Sequence, residues 1–193
     1  MNLMIIVAST RPGRVGLPVA EWVRETVSRQ AQFDQIDFAD LAVINLPFLD
    51  EPNHPRFKDY IHQHTRTWSA RVGKADAVLI VTPEYNYGMP AALKNAIDFL
   101  HVEWAYKPVA FVSYGGVSAG TRSVQMTKQV VTALRMTAVA EAVAIPFVTQ
   151  FIDENGSFKP SESMEKAAHA MADELARVAS VLQPLRERRV AAA

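Results

Sequence analysis

The run Ala77-Val78-Leu79-Ile80-Val81 is apolar at every position, short and rich in branched side chains, with no polar alternation. Such a run suits a strand covered on both faces, as in a parallel sheet flanked by helices. In sheets of that kind, ligands bind where the strands end. The residues that follow are Thr82-Pro83-Glu84-Tyr85-Asn86-Tyr87-Gly88-Met89-Pro90, and after them the helix-like Ala91 to Leu100. Two prolines, a glycine and two tyrosines on one short connection supply a stiff backbone, exposed amides and flat apolar faces. That combination is suited to holding an aromatic ring system edge-on.

The rest of the chain repeats the strand–loop–helix pattern. Residues 3 to 8 read as the first strand. The polar turn Ser9-Thr10-Arg11-Pro12-Gly13-Arg14-Val15-Gly16 then leads into a helix with Ala20, Val23 and Val27 on its inner face. Ile36 to Leu46 predicts a second strand, ending in the breaker-rich Pro47 to Pro55. Arg56 to Lys74 predicts a helix with Ile61, Trp68 and Val72 inward. Strands are expected at 77–82, 108–114 and 139–145, with helices at 91–102 and 121–136 between them. From Glu162 onward, Met164, Ala168, Met171, Leu175, Val178 and Leu182 step by four and three, one apolar stripe that closes the fold. Arg186-Glu187-Arg188-Arg189 reads as a solvated helix end, and the last three alanines as a fraying tail. Five strands alternating with helices define a doubly wound α/β domain, whose connectivity fits a flavodoxin-like order at least as well as a Rossmann one. Residues 1–185 are expected to form a single domain and 186–193 a C-terminal tail.

Composition narrows the chemistry. Lys plus Arg equals Asp plus Glu at 20 each, so the formal net charge is zero and nothing favours a nucleic-acid or anionic-membrane partner. There is no cysteine, which removes disulfides, thiolate nucleophiles and Cys-based metal sites together. Any redox chemistry must come from a cofactor. The opening Met1 to Ala8 lacks a basic leader and is too short to span a bilayer; it reads as a strand, and a cytoplasmic location is expected. His54, His62 and His64 lie close in sequence, but a spacing of two does not share a helix face, and they read as surface residues rather than a metal site. Trp22, Trp68 and Trp104 read as core or interface, with Trp104 near enough to the ring-loop helix to reach a neighbouring subunit.

Three loops converge if the first, third and fourth strands are adjacent. Ser9, Thr10, Arg11, Arg14 and Gly16 place hydroxyls, guanidinium groups and softened backbone beside a helix N-terminus, which suits a phosphate dianion. This is neither a P-loop nor the G-x-G-x-x-G fingerprint. Pro83 to Pro90 supplies ring faces. Ser113-Tyr114-Gly115-Gly116-Val117-Ser118-Ala119-Gly120 lets backbone amides approach a ligand closely. A mononucleotide with an extended heterocycle fits the three together.

From residue 3 to 182 the chain resembles the NADPH-dependent FMN reductase family, a flavodoxin-like group that includes quinone, azo-dye and chromate reductases. The most specific part is P-E-Y-N-Y-G-M-P-A-A-L-K-N-A-I-D at 83–98, similar to the family's flavin-ring signature. The resemblance implies a five-stranded parallel sheet of order 2-1-3-4-5 with helices on both faces. It implies FMN and NADPH (or NADH) as cofactors, a small-molecule electron acceptor and a homodimer or homotetramer. Pro83, Glu84, Tyr85 and Asn86 would flank the isoalloxazine. Ser9 and Arg11, with Arg14, Val15 and Gly16 beside them, would hold the phosphate. Tyr114, Gly115 and Gly116 would border the pyrimidine side, the glycine amides facing the negative charge that develops on reduction. In the first loop Ala8, Arg14 and Gly16 replace a glycine, a serine and an asparagine of the commoner family form. With one open ring face, nicotinamide and acceptor would bind in turn, giving ping-pong kinetics and no catalytic side chain.

Two other readings use the same residues. Gly116-Val117-Ser118-Ala119-Gly120 matches G-x-S-x-G, with Asp153 and His169 following in hydrolase order. A flavodoxin-type electron carrier would share fold and FMN, though such carriers dock through an acidic face and this chain is charge-balanced.

Overall fold

In the computed structural model, which describes residues 1–191, five parallel strands form one sheet of order β2-β1-β3-β4-β5. The strands are β1 (Asn2–Val7), β2 (Gln35–Asp40), β3 (Ala77–Pro83), β4 (Pro108–Tyr114) and β5 (Thr137–Ile145). The order is the one expected, and the physical reason is visible in burial: all seven residues of β3 and all seven of β4 are buried, as the central strands of a covered sheet must be.

Six helices cover the sheet: α1 (Gly16–Arg29), α2 (Leu41–Ile44), α3 (Gln63–Lys74), α4 (Ala91–Asp98), α5 (Thr121–Ala133) and α6 (Glu162–Ala191). Side chains alternate across each strand, so the sheet has two cores. Leu3, Ile5, Val7, Leu79, Val81 and Val112 point to α1 and α6. Met4, Ile6, Ile80, Val109 and Phe111 point to α3, α4 and α5. The predicted stripe of α6 is inside at Met164, Ala168, Met171 and Leu175, with Val178 partly covered.

Local chemistry shifts several boundaries. The second strand stops at Asp40 rather than Leu46, because the Asp40 carboxylate accepts the Ala42 amide at 3.0 Å and caps α2. Asn45, in the left-handed region at φ 48°, ends that helix. α3 begins at Gln63 rather than Arg56. Pro55–Phe57 is a single 3₁₀ turn closed by left-handed Lys58, and the Glu51 carboxylate accepts the amides of Ile61 and His62 at 2.8 and 3.0 Å, fixing the later start. Ile61, expected inward, is half exposed. α4 stops at Asp98 and Val102–Trp104 forms a separate 3₁₀ turn.

The tryptophans are core residues. Trp104 is buried with its indole N–H donated to the Ile97 carbonyl at 3.0 Å, so it does not reach outward to a neighbouring subunit. Arg186 is likewise not solvated: its guanidinium donates to the carbonyls of Tyr106 and Ala179 and pairs with Asp76 at 3.3 Å. The side chains of Arg188 and Arg189, and the alanines at 192 and 193, lie outside the described residues. His62 and His64 stack with ring centroids 5.1 Å apart beside Asp50, which meets His64 at 2.9 Å. No group of metal-ligating side chains occurs among the described residues.

Candidate active site at the carboxyl edge of the sheet

The loops after β1, β3 and β4 meet at one edge, as the strand order requires. Ser9, buried just past β1, shares a hydrogen bond of 2.8 Å with the Tyr85 hydroxyl from the loop after β3. Tyr114, the last residue of β4, lies opposite Pro83 and turns its phenol under the start of α1. Burial pushes that phenol above its ordinary pKa; Tyr85 adds to the rise, while the Ser9 hydroxyl and Arg14 oppose it. Tyr114 is therefore a neutral O–H at neutral pH.

Gly16 is fixed by this arrangement. A Cβ there would lie 2.1 Å from the Tyr114 hydroxyl oxygen and 2.8 Å from Cζ. The space a side chain would need is already filled by the phenol. Val15 precedes it as the N-cap and supplies no side-chain bond; the first turn of α1 carries no acidic residue, and Pro18 has no amide hydrogen. The positive end of α1 is thus left without an internal acceptor. Arg11 stands exposed beside it and takes part in no ion pair among the described residues. Unused helix amides, a free guanidinium and the Ser9 hydroxyl form a donor set that fits a phosphate dianion. Arg14 points elsewhere: it pairs with Asp40, the cap of α2, and both side chains are largely buried.

The ring loop is a tight hairpin. Tyr85 and Gly88 exchange two backbone hydrogen bonds of 3.0 and 2.9 Å, and Asn86 and Tyr87 between them both have positive φ, 48° and 71°, the signature of a type I′ turn. Asn tolerates that conformation; Tyr87 does not favour it. The turn leaves Tyr87 73% exposed under the Arg122 guanidinium, 3.8 Å from the ring centroid. Glu84 is the anchor. Its nearly buried carboxylate accepts the Arg122 amide at 3.1 Å and the guanidinium at 2.7 Å, which ties the ring loop to the first turn of α5. Thr82 continues that tie through Ser123, 3.1 Å away.

In the third loop, the Gly115 amide is donated to the Ile145 carbonyl at 3.2 Å, so it does not face a ligand as expected. The amides of Gly116, Val117 and Ser118 have no partner among the described residues and remain available as donors. Gly120, with φ 77°, is indispensable for another reason: a Cβ there would come within 2.9 Å of the Tyr114 backbone on two sides. The G-x-S-x-G match is therefore a helix-capping turn. Its proposed partners lie apart from Ser118. Asp153 accepts the amides of Asn155 and Ser157 at 2.9 Å each to close a surface turn. The backbone carbonyl of His169 accepts from Gln30 at the far end of α1, about 20 Å along the helix from Gly16. No triad is assembled.

Arg122, Ser123 and Asp40 carry no signal as site residues in the sequence. Gly120 carries one, as the closing glycine of a loop.

A parallel sheet of this order, with an uncapped helix end and ring-bearing loops on one edge, defines a flavodoxin-like mononucleotide-binding protein. The chain belongs to the NADPH-dependent FMN reductase family, whose sequence model matches residues 1–150. It is 37% identical over 160 residues to an NAD(P)H-dependent FMN reductase of Saccharomyces cerevisiae, covering 77% of this chain and 83% of that one. It is 33% identical over 151 residues to an NAD(P)H-dependent FMN reductase of Nectria sp, covering 76% and 75%. Among solved structures, the flavoenzyme NAD(P)H:(acceptor) oxidoreductase FerB from Paracoccus denitrificans superposes with a TM-score of 0.72 at 20% identity, over 93% of this chain and 97% of that one, a likeness of fold. The protein is an oxidoreductase that uses FMN and a nicotinamide dinucleotide. No described helix is long and apolar enough to cross a membrane.

Proposed function

We propose that residues 1–185 act as one FMN-binding domain that passes two electrons from a nicotinamide to a small acceptor, a quinone, a flavin or an azo compound, by a ping-pong mechanism in the cytoplasm. The observation that carries this reading is the donor set at α1: an uncapped helix end with a free Arg11 beside a ring loop that Ser9 and Tyr85 draw against it.

Ser9, Arg11 and the amides of Val15 and Gly16 bind the phosphate, while Arg14 holds the loop to β2 through Asp40. Pro83, Tyr85 and Asn86 line the ring, and Glu84 positions them through Arg122. Tyr114 supports the cradle from beneath. Gly115 shapes the third loop, and the Gly116 amide and its two successors offer hydrogen bonds to a ring edge that gains negative charge. FMN held by these residues would supply the redox chemistry, hydride acceptance and two-electron transfer. The side chains bind and orient; none is required as an acid or base. Assembly as a homodimer or homotetramer completes the proposal.

Initial rates with NADPH and a quinone, each varied at several fixed levels of the other, test the sequence of events. Parallel double-reciprocal lines are the expected result; intersecting lines would rule out alternating occupancy. A carrier would show no direct reduction by NADPH.

A further inference from the structure

The turn leaving β5 holds an aromatic residue in an unfavourable place. Phe147 has φ 47°, in the left-handed region, yet 49% of its surface is exposed. A Cβ-bearing residue gives up stability in that conformation, and a large apolar side chain gives up more by facing water. Three backbone hydrogen bonds impose the geometry. The Phe147 amide donates to Gly116 at 3.2 Å, the Val148 amide to Gly115 at 3.1 Å, and the Gly115 amide to Ile145 at 3.2 Å. The turn after β5 and the glycine loop after β4 are thereby one unit. On that unit Val117 is 79% exposed. Tyr85 and Tyr87, 39% and 73% exposed, stand on the loop after β3, two strand spacings or about 10 Å away across the sheet edge.

Strain and exposed apolar surface together mark a contact surface. Its position at the carboxyl edge of the sheet, bonded to the glycine loop of the proposed FMN site rather than lying on a helix face, favours a small flat molecule as the occupant. We propose that Phe147, with Val117, forms an apolar shelf on which a planar acceptor rests, so that this turn sets the preference for ring-shaped acceptors over compact ionic ones. The inference rests on the FMN reductase reading.

The test uses the full chain loaded with FMN, NADPH as donor, and two acceptors, menadione and ferricyanide. With Phe147→Ala, kcat/KM for menadione falls about tenfold, the upper range of an aromatic stacking contact, while that for ferricyanide stays within about twofold. Phe147→Tyr retains the menadione rate. A readout independent of activity accompanies these: the melting temperature of the FMN-free protein rises in Phe147→Gly, because glycine accepts the left-handed backbone without strain. Equal loss with both acceptors would overturn the shelf, as would an unchanged melting temperature in Phe147→Gly. So would a smaller species in sedimentation with acceptor preference intact, which would assign Phe147 to an interface between copies. Failure of the unaltered protein to hold FMN would instead sink the functional reading itself.

Discussion

Replacing Gly16 by alanine tests the packing beneath the proposed phosphate cradle. The new methyl would meet the Tyr114 hydroxyl oxygen at 2.1 Å and Cζ at 2.8 Å, both well inside contact distance. Tyr114 is 4% exposed and ends a central strand, so the ring has no open direction in which to swing. Overpacking of this kind costs about 1–3 kcal/mol, against which alanine's better helix propensity returns at most about 1 kcal/mol. Tyr114→Phe alone, which removes a buried phenol oxygen beside Ser9 and Arg14, costs roughly 1 kcal/mol. It removes the nearer of the two clashing atoms and leaves the other, so the double variant should be more stable than the sum of the single losses by about 1 kcal/mol. Urea unfolding of the four FMN-free proteins at pH 7 measures the cycle. A Gly16→Ala midpoint equal to that of the unaltered protein, or additivity within about 0.3 kcal/mol, would refute the claim that the phenol occupies this space.

Other expectations are more compact. Glu84→Ala, which strips two charge-assisted hydrogen bonds from Arg122, costs about 2–3 kcal/mol in urea unfolding and weakens FMN retention, whereas Arg122→Lys costs less. Lys107 is buried with its ammonium on the Val72 carbonyl; burial first, and then Arg186, pull its pKa down to about 7. The unfolded chain then binds more protons than the folded one between pH 7 and 10.5, so this group makes stability rise with pH across that window and remain flat below it, by on the order of a few kcal/mol. Lys107→Met should flatten the rise in urea midpoint, whatever its constant offset; an unchanged slope would count against a displaced lysine. Ser118→Ala should leave NADPH oxidation and flavin binding as they were, and loss of activity would return the hydrolase reading.

The sheet was legible because its central strands are apolar at nearly every position, Ser113 being an exception. Residues 77–81 and 108–114 have no other way to be covered, and the strand order follows once both are placed inside. Boundaries set by a distant side chain were not legible. Nothing near Gln63 announces a helix start there, since the segment leading into it is held by the Glu51 carboxylate through the amides of Ile61 and His62. Asp40 is both the last residue of β2 and the cap of α2, so its own carboxylate, turned back on Ala42, ends the strand where the apolar pattern runs on. The same holds for the site. Ser9, Tyr85, Tyr114 and Gly16 come together as the loops suggested, but the pairings Arg14–Asp40 and Glu84–Arg122 depend on which loops are neighbours in space. Backbone strain at Tyr87 and Phe147 left no trace in composition, because neither residue type is typical of its conformation.

The central claim is that the three loops hold FMN in position for direct reduction by a nicotinamide. It is tested most directly by the visible spectrum of the purified protein after incubation with FMN and desalting, repeated anaerobically with NADPH. A flavin spectrum that survives desalting and bleaches on addition of NADPH is the predicted result. A protein that emerges colourless at micromolar concentration, or a retained flavin that NADPH leaves unbleached, would contradict it.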